Sequence, residues 1–336
     1  MPSSSSSTEI QTNRELICEL IADLYLQPRS AILKWSQVTN QTAQVRIAYP
    51  GQHLASLVSG IPGTGTAARG NDLADGSEIK SCSRADQLGK CKECGGGVLP
   101  HQEQCPTCNS SNIDRKTDSH WIFSIKSKQE LDQYLSCPRI LLVLFDRMVD
   151  GSDVIRSRIW EIWPSSARHL YFRWFVEDYW ENNYLYKLDK GLTPAPLNLH
   201  PLQFDFYMMN PVCTFEARTR MPESIEKSAT FVPNPTDIIH WIEPNADRDD
   251  IDVDIMPVDT VRPKRLMIEL IEQVDDEELG RCIRENISIS EVRDLTVNSK
   301  TEEIVSKFIG LTESVRLNLP FPEKSVKETP SSYVRN

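Results

Sequence analysis

Three residues whose side chains can act on a phosphate group lie close together in the sequence. Asp72, Glu78 and Lys80 form the pattern D-x5-E-x-K. Along a β-strand, residues i and i+2 share a face, so Glu78 and Lys80 point the same way and Ile79 points to the opposite, apolar side. Two neighbouring carboxylates repel each other unless a cation lies between them, and such oxygen ligands suit Mg²⁺. A lysine beside this ion can orient a water molecule and stabilise developing charge, so the pattern predicts phosphodiester hydrolysis.

A tight turn must bring the two acids together. Asp75-Gly76 lies between short extended runs, which is typical of a hairpin turn, so we predict one strand at 72–73 and a second at 77–81. A helix at 52–59 is expected before this hairpin, ended by Gly60 and Pro62 and followed by a glycine-rich loop. Because the same spacing of acids and lysine also occurs by chance, an ordinary exposed hairpin is the alternative. Beyond the hairpin, periodicity predicts a helix at 127–135 and strands at 119–125, 139–145 and 154–163.

Four of the nine cysteines have the spacing of a metal site. They form C-x2-C, ten residues, C-x2-C at Cys91, Cys94, Cys105 and Cys108. Thiolates at this spacing select tetrahedral Zn²⁺, and four protein ligands leave no open position for water, so the zinc is expected to be structural. Gly95-Gly96-Gly97 and Pro106 are expected to supply the tight turns. The remaining five cysteines are interpreted as inert thiols, since an odd total in a long chain does not suit a disulfide framework.

The segment that contains both patterns resembles a known family. The runs GQHLASLVSG, ARGNDLADGSEIKSCSRADQLGKC and CPTCNSSNIDRKTDSHWIF are similar to the MamI family of type II restriction endonucleases. The resemblance implies a PD-(D/E)xK nuclease fold, an α/β core in which helices flank a mixed central sheet, with the zinc ribbon as an insertion. It also implies double-stranded DNA as substrate, Mg²⁺ as cofactor and an interrupted palindromic site with GAT and ATC half-sites. The usual Pro-Asp dipeptide is replaced here by Asn71-Asp72.

The resemblance also assigns roles to residues. It implies Asp72 and Glu78 as magnesium ligands, Ile79 as a further position at the magnesium site, and Lys80 as the catalytic lysine. A homodimer is expected, because two active sites can then cut the two strands of a palindrome. The alternatives are a zinc-ribbon protein that binds nucleic acid without cutting it, and a repair or junction nuclease of the same fold.

The predicted helix before the hairpin departs from the family pattern. Many nucleases of this fold carry a further acid there, whereas this chain has Gln52 and His53. Gln52 can hydrogen-bond within the site without adding charge, and we include it among the catalytic residues. His53 either takes part in proton transfer or is an ordinary histidine on the helix surface.

Composition limits the class of protein. The chain has 336 residues, of which 39% are hydrophobic and 25% charged, enough for about two globular domains. This composition excludes collagen, a coiled coil and wholesale disorder. The longest apolar run, at 140–145, is far shorter than the roughly 20 residues of a membrane span. With no secretory signal visible, we expect a cytoplasmic prokaryotic protein without a membrane partner.

The net charge of −11 argues against a nucleic-acid partner, but the acids are unevenly placed. Residues 237–259 hold eight acids and a single arginine, whereas residues 24–71 hold no acid at all. The acid-free segment therefore predicts either a locally positive face or an ordinary solvated region. Its four basic residues are Arg29, Lys34, Arg46 and Arg69.

Patterning along the chain predicts its organisation. The expected parts are a disordered tail and N-terminal helices at 1–45, a nuclease core at 46–235 with the ribbon at 88–112, an acidic linker at 236–260, a C-terminal helical domain at 261–319 and a flexible tail at 320–336. Residues 165–187 form an aromatic cluster, which is either a base-stacking surface or a packed helix. The helical domain could read DNA, dimerise or cover the core. Candidate phosphate contacts near the ribbon are Lys90, Lys92, His101, Arg115 and Lys116.

Overall fold

The fold was analysed in a computed structural model. It describes residues 14–39, 41, 43–65, 71–99, 102–115, 119–148, 154–201, 203–220, 236–244, 246–247, 251, 255–257 and 264–317. The predicted disordered and flexible tails, at 1–10 and 320–336, lie outside these residues. Three of the basic residues singled out from the sequence lie outside them as well, namely Arg69, His101 and Lys116.

Helices and strands alternate along the chain. The strands are β1 Glu78–Ser83, β2 Gly89–Cys91, β3 Gly97–Val98, β4 Ile113–Asp114, β5 Trp121–Phe123, β6 Ile140–Arg147, β7 Val154–Ile162, β8 Leu197–Leu199, β9 Val212–Arg220, β10 Thr236–Trp241, β11 Ile255–Pro257 and β12 Gly310–Thr312. The helices are α1 Arg14–Ile21, α2 Gln27–Thr39, α3 Ala48–Ser59, α4 Lys128–Ser136, α5 Leu170–Tyr179, α6 Tyr186–Asp189, α7 Phe204–Met208, α8 Lys264–Gln273, α9 Asp276–Cys282, α10 Ile289–Arg293, α11 Thr301–Lys307 and α12 Glu313–Leu317. π-Helical turns at Ala22–Leu26 and Trp180–Leu185 join α1 to α2 and α5 to α6, and a 3₁₀ turn at Ala167–His169 precedes α5.

The chain forms two compact units, each built from three separate segments. The first unit comprises residues 1–121, 138–162 and 211–252. The second comprises residues 122–137, 163–210 and 253–336. Within the described residues, no helix is long and apolar enough to cross a membrane.

A five-stranded mixed sheet dominates the first unit. Its strand order is β1-β6-β7-β9-β10, so β1 lies at one edge. β1 pairs in parallel with β6, and the other neighbours pair antiparallel. The predicted mixed α/β architecture, with a mixed central sheet flanked by helices, is therefore confirmed. The predicted strands at 139–145 and 154–163 are confirmed as β6 and β7.

One face of this sheet forms the core against α1 and α3. Ile79, Val143, Ile159 and Phe215 are buried there, together with Leu54 of α3. The predicted helix at 52–59 is confirmed but begins earlier, at Ala48, and it ends at Gly60, whose left-handed φ of 68° closes the helix. Burial of the apolar face of α3 fixes that helix beside the edge strand β1.

Gly51 allows α3 to lie directly on β1. A Cβ atom at this position would be 1.9 Å from the Ser81 Oγ and 2.8 Å from the Ser81 Cβ. Both distances are shorter than van der Waals contact, so any side chain at Gly51 would force the helix and the strand apart. The close approach brings Gln52, the next residue of α3, to the edge of the sheet.

We expect Gly51→Ala to destabilise the protein by about 1–3 kcal/mol, the usual cost of overpacking a core. Chemical denaturation measures this loss, and Ser81→Gly in the same chain should restore much of it by removing the clashing atoms. Gly280→Ala is the matched control, since a Cβ at Gly280 in α9 would meet no atom within 4 Å. Equal stability of the two alanine variants would contradict the packing argument.

Two elements of the first unit differ from the sequence prediction. The predicted strand at 72–73 is wrong, because Leu73 makes only an isolated bridge to Gly63 and does not join the sheet. The predicted turn is present, with Gly76 at a φ of 92°. Residues 236–241, placed by their charge at the start of an acidic linker, form β10 at the other sheet edge, where pairing with β9 satisfies their backbone.

In the second unit, the aromatic cluster forms α5, the π-helical turn and α6. Burial lowers the pKa of His169 to about 3, and its ring accepts a hydrogen bond from the Trp163 N–H. Arg168 pairs with Glu313 at 2.6 Å, and Arg173 donates to two main-chain carbonyls. Because these three basic side chains are held by protein groups, the geometry favours helix packing over a nucleic-acid surface. The predicted C-terminal helices are present as four pieces, α8 to α11.

Candidate active site

The free edge of β1 carries the first carboxylate. Among the strands that the structure describes, β1 pairs with β6 alone, so the Ile79 N–H faces outward, and it donates to the Asp72 Oδ2 at 2.8 Å. Gln52 Nε2 donates to the other carboxylate oxygen, Oδ1, at 2.6 Å. Asp72 is therefore held from both sides, by the edge of the sheet and by α3, rather than by a neighbouring strand.

The backbone of Ile79 presents a second polar group at this edge. The N–H and C=O of one strand residue point to the same side, so the Ile79 carbonyl faces outward with the N–H that binds Asp72. The Ile79 side chain is buried in the core on the face covered by α3. Its apolar side chain anchors β1 while its main chain contributes to the site.

Glu78 and Lys80 lie on the sheet face opposite Ile79. Lys80 Nζ is 2.5 Å from Glu78 Oε1, so the prediction that these side chains share a face is confirmed. The Glu78 side chain is only 13% exposed and the Lys80 side chain only 20%. A charged pair this sheltered interacts more strongly than a surface pair, because less water screens it.

Both carboxyl groups are harder to ionise than free ones. Burial raises the pKa of Asp72, against the opposing effects of the Ile79 N–H, the Lys80 charge and the Gln52 amide. Burial also raises the pKa of Glu78, Lys80 opposes this shift, and the charge of Asp72 adds to it. Two sheltered carboxylates thus share one ammonium group. A divalent cation would balance this charge, and the oxygen donors fit Mg²⁺.

We expect Glu78→Gln to raise the thermal midpoint of the metal-free protein by a few degrees at neutral pH. A carboxyl group with a raised folded-state pKa stabilises the fold while it is protonated, and that stability is lost as the pH rises through the raised pKa. Glutamine resembles the protonated form at every pH. Thermal unfolding at pH 7 and at about pH 4 should therefore show a difference between variant and parent only at the higher pH.

Asp75→Asn is the control, because it should change the stability at pH 7 in the opposite direction. Burial raises the pKa of Asp75, but hydrogen bonds from Arg139 and Ser77 outweigh this effect and lower the pKa below its usual value. Its ionised form stabilises the fold above its unfolded-state pKa, and this stability is lost as the pH falls through the lowered value. Asp75→Asn should therefore destabilise the protein at pH 7. A Glu78→Gln protein that is also less stable than the parent at pH 7 would contradict the account of Glu78.

The turn between Asp72 and Glu78 is fixed to β6. Arg139, the residue before β6, donates to Asp75 Oδ2 at 2.7 Å, and its carbonyl accepts from the Glu78 N–H at 3.0 Å. Asp75 also accepts from the N–H and the hydroxyl of Ser77, both at 2.9 Å. Sequence reasoning missed Arg139, which is 64 residues from Asp75 and belongs to no motif.

The four motif cysteines come together as predicted. Their Sγ atoms all lie within 4.8 Å of one another, and the Cys91–Cys108 and Cys94–Cys105 pairs are both 3.5 Å apart. Tetrahedral zinc with Zn–S bonds of about 2.3 Å requires sulfur atoms about 3.8 Å apart, so the cluster fits Zn²⁺. Burial raises the pKa of Cys105, but the N–H groups of Thr107 and Cys108 lower it, and the net pKa is about 6. A lowered pKa favours the thiolate, which is the form that binds metal.

Two equivalent turns hold the cysteine pairs. The Gly95 N–H donates to the Cys91 carbonyl at 2.9 Å, and the Asn109 N–H donates to the Cys105 carbonyl at 2.8 Å. Gly95 and Asn109 have positive φ values of 75° and 57°. Asn109 therefore has the role in the second turn that the glycine run has in the first, and sequence reasoning missed it.

The structure leaves only some predicted basic residues available to a substrate. Lys90 and Lys92 are exposed on the ribbon, whereas Arg115 donates to the carbonyls of Leu99 and Gln102. In the acid-free segment, Arg29 forms a buried bidentate pair with Asp86. Lys34 and Arg46 are exposed.

Comparison with known proteins identifies the family. The family model for the MamI restriction endonuclease matches residues 34–259, more than half of the chain. The chain belongs to the MamI restriction endonuclease family. The matched region of this MamI family member includes Gln52, Asp72, Glu78 and Lys80 as well as the four clustered cysteines.

One curated relative is the type II restriction enzyme MamI of Microbacterium ammoniaphilum. It is 30% identical to this MamI family member over 156 residues, which is 43% of this chain and 42% of the relative. The match thus spans less than half of the relative's length. No solved structure matches the chain.

Proposed function

We propose that this protein is a Mg²⁺-dependent endonuclease of the PD-(D/E)xK type that hydrolyses phosphodiester bonds in double-stranded DNA at a specific site. The observation that carries the proposal is that Asp72 is held at the edge of β1, where its charge acts on Glu78 and Lys80, which contact each other on the same strand. Both acids are sheltered, and they share the single ammonium group of Lys80. The family match and the relative's description as a type II restriction enzyme support the same activity.

Each residue of the site has a distinct role in this proposal. Asp72, Glu78 and the Ile79 carbonyl hold Mg²⁺, which supplies Lewis-acid activation and charge neutralisation when bound. Lys80 orients the attacking water and stabilises negative charge that develops on the phosphate. Gln52 keeps the Asp72 carboxylate in a fixed orientation through its hydrogen bond and adds no charge.

The finer parts of the proposal concern the DNA site and the assembly. We propose an interrupted palindrome with GAT and ATC half-sites, cut by a homodimer that places one active site on each strand. Sedimentation in the presence and absence of a duplex containing this site measures the assembly. A complex with two protein copies for each duplex is expected, and a single copy would contradict the dimer.

Digestion of plasmid DNA tests the activity directly. The protein should convert supercoiled plasmid to discrete linear fragments with Mg²⁺ and leave it intact with a chelator. Sequencing of the fragment ends should locate one recurring site. Binding without any Mg²⁺-dependent cleavage would favour a non-catalytic zinc-ribbon protein, and preferential cleavage of branched or mismatched duplexes would favour a repair or junction nuclease.

A further inference from the structure

A cavity of about 500 Å³ adjoins Asp72 on the side of α3. Tyr49, Gln52 and His53 of α3 form one wall, and residues 63–65 form another. Its base includes Asp72 and Ile79, the two residues that meet at the free edge of β1. The cavity is therefore continuous with the candidate active site and lies entirely within the first unit.

The wall formed by residues 63–65 is fixed to the segment that carries Asp72. The Thr64 N–H donates to the Asp72 carbonyl at 3.0 Å, and the Thr64 hydroxyl donates to the Asn71 carbonyl at 2.7 Å. Next to this wall, the Ala74 N–H donates to the Pro62 carbonyl at 2.9 Å. A ligand in the cavity would thus be held at a defined position relative to the Asp72 carboxylate.

The α3 wall presents an aromatic ring to solvent. Tyr49 is 66% exposed, a large fraction for an aromatic residue on a helix that is otherwise packed onto the sheet. His53 lies one helical turn further on the same face and is also exposed. Arg46, just before α3, is exposed too, and the whole segment 24–71 is free of acids. The approach to the cavity therefore suits a ligand that is both aromatic and anionic.

We infer that Tyr49 is a substrate-positioning residue that stacks against the base of a nucleotide that leaves the duplex stack next to the cleaved phosphate. The inference rests on the proposed nuclease function and specifies how that site holds its DNA. The volume lies within the range of about 300–1,000 Å³ that is usual for small-ligand sites. Among the described residues that line the cavity, Asp72 is the only acid, so a phosphate can approach without further repulsion.

Steady-state cleavage of a duplex substrate by Tyr49→Ala and Tyr49→Phe tests this inference. Loss of the stacking ring in Tyr49→Ala should raise KM about ten- to a hundredfold, with a smaller effect on kcat. Tyr49→Phe retains the ring and should stay within about twofold of the parent. Fluorescence anisotropy with the same duplex, with Ca²⁺ in place of Mg²⁺, should show the same order of affinities. Because Tyr49 is exposed, thermal unfolding should be the same for all three proteins.

The matched control is Tyr186→Ala, which removes a tyrosine from α6 in the second unit and should leave KM unchanged. If Tyr49→Ala cleaves DNA with an unchanged KM, the inference about Tyr49 is wrong but the proposed nuclease function stands. A Tyr49→Phe protein as impaired as Tyr49→Ala would overturn it as well, since the hydroxyl rather than the ring would then matter. A parent protein that neither binds nor cuts DNA would overturn the proposed function itself.

Discussion

Lys80→Ala is expected to lower the rate of DNA cleavage by about a thousandfold or more, the combined effect of losing a charge stabiliser and a water-orienting group. The ammonium group lies 2.5 Å from Glu78 and interacts electrostatically with Asp72, so it acts at the centre of the site. Single-turnover cleavage with saturating protein measures the chemical step separately from DNA binding. Lys80→Arg should rescue little, because a guanidinium group is planar, bulkier and does not lose its proton.

Glu78→Ala should be impaired to a similar degree, because it removes one of two acidic ligands of the proposed magnesium site. The control for both variants is Lys128→Ala, whose side chain is 66% exposed in a surface pair with Asp132. DNA affinity in Ca²⁺ should remain measurable for Lys80→Ala, which shows that the protein is folded. Undiminished cleavage by Lys80→Ala or by Glu78→Ala would remove the nuclease assignment from this site.

Cys105→Ser is expected to have the largest effect on stability, because it removes one thiolate from the four-sulfur cluster. Structural zinc sites contribute about 10–16 kcal/mol of binding free energy in isolated zinc-finger peptides at pH 7, and most of this depends on a complete ligand set. Cys105 is fully buried, and three short strands surround the cluster. Zinc affinity should fall by at least about a hundredfold, and the ribbon should unfold locally.

Metal content by mass spectrometry and limited proteolysis measure these two consequences. The parent should hold one zinc ion per chain, and Cys105→Ser should lose it and become sensitive to protease between β2 and β4. Cys18→Ser is the matched control, because the Cys18 thiol donates to the Thr236 carbonyl and lies outside the cluster. Full zinc content in Cys105→Ser, or no zinc in the parent, would contradict the structural zinc site.

Loss of zinc should also affect β1, the strand that carries Glu78 and Lys80. Only five residues separate β1 from β2, and at least three of them are fixed within the first unit. The Arg84 N–H donates to the Phe145 carbonyl at 2.7 Å. Asp86 pairs with Arg29 of α2 at 2.5 and 2.7 Å, and the Ala85 carbonyl accepts from Arg147 at 3.2 Å. A small apolar cluster of Leu33, Ala43 and Leu99 connects α2 to the ribbon. The ribbon is therefore part of the support for β1.

The sequence predicted those parts of the protein that depend on local spacing. Alternation along β1 determines that Glu78 and Lys80 share a face, because successive side chains of a strand point to opposite sides. The C-x2-C spacing determines the two turns of the four-cysteine cluster, since each pair of thiols must come from one tight turn. An apolar run likewise predicted β6, because a strand buried on both faces is apolar throughout, and alternation predicted β7.

The tertiary structure decided which distant groups complete each site. The sequence suggested Gln52 as a partner in the site, but it lies 20 positions before Asp72, and that separation does not show how close the two side chains are in space. That contact depends on the approach of α3 to β1 at Gly51, which is a property of packing. Arg139 and Arg29 likewise find their partners only because β6 and α2 lie next to segments far away in sequence.

The strand predicted at 72–73 shows why local pattern alone was insufficient. Asp-Gly signals a turn whatever follows it, but a strand forms only where a partner satisfies its backbone groups. β1 finds that partner in β6, which leaves its other edge free for the Asp72 carboxylate. The sequence by itself therefore determined the candidate catalytic side chains and the two turns that carry the cysteine pairs. Only the fold decided that Asp72 meets β1 at an open sheet edge. Strand pairing and helix packing join residues that no local spacing relates.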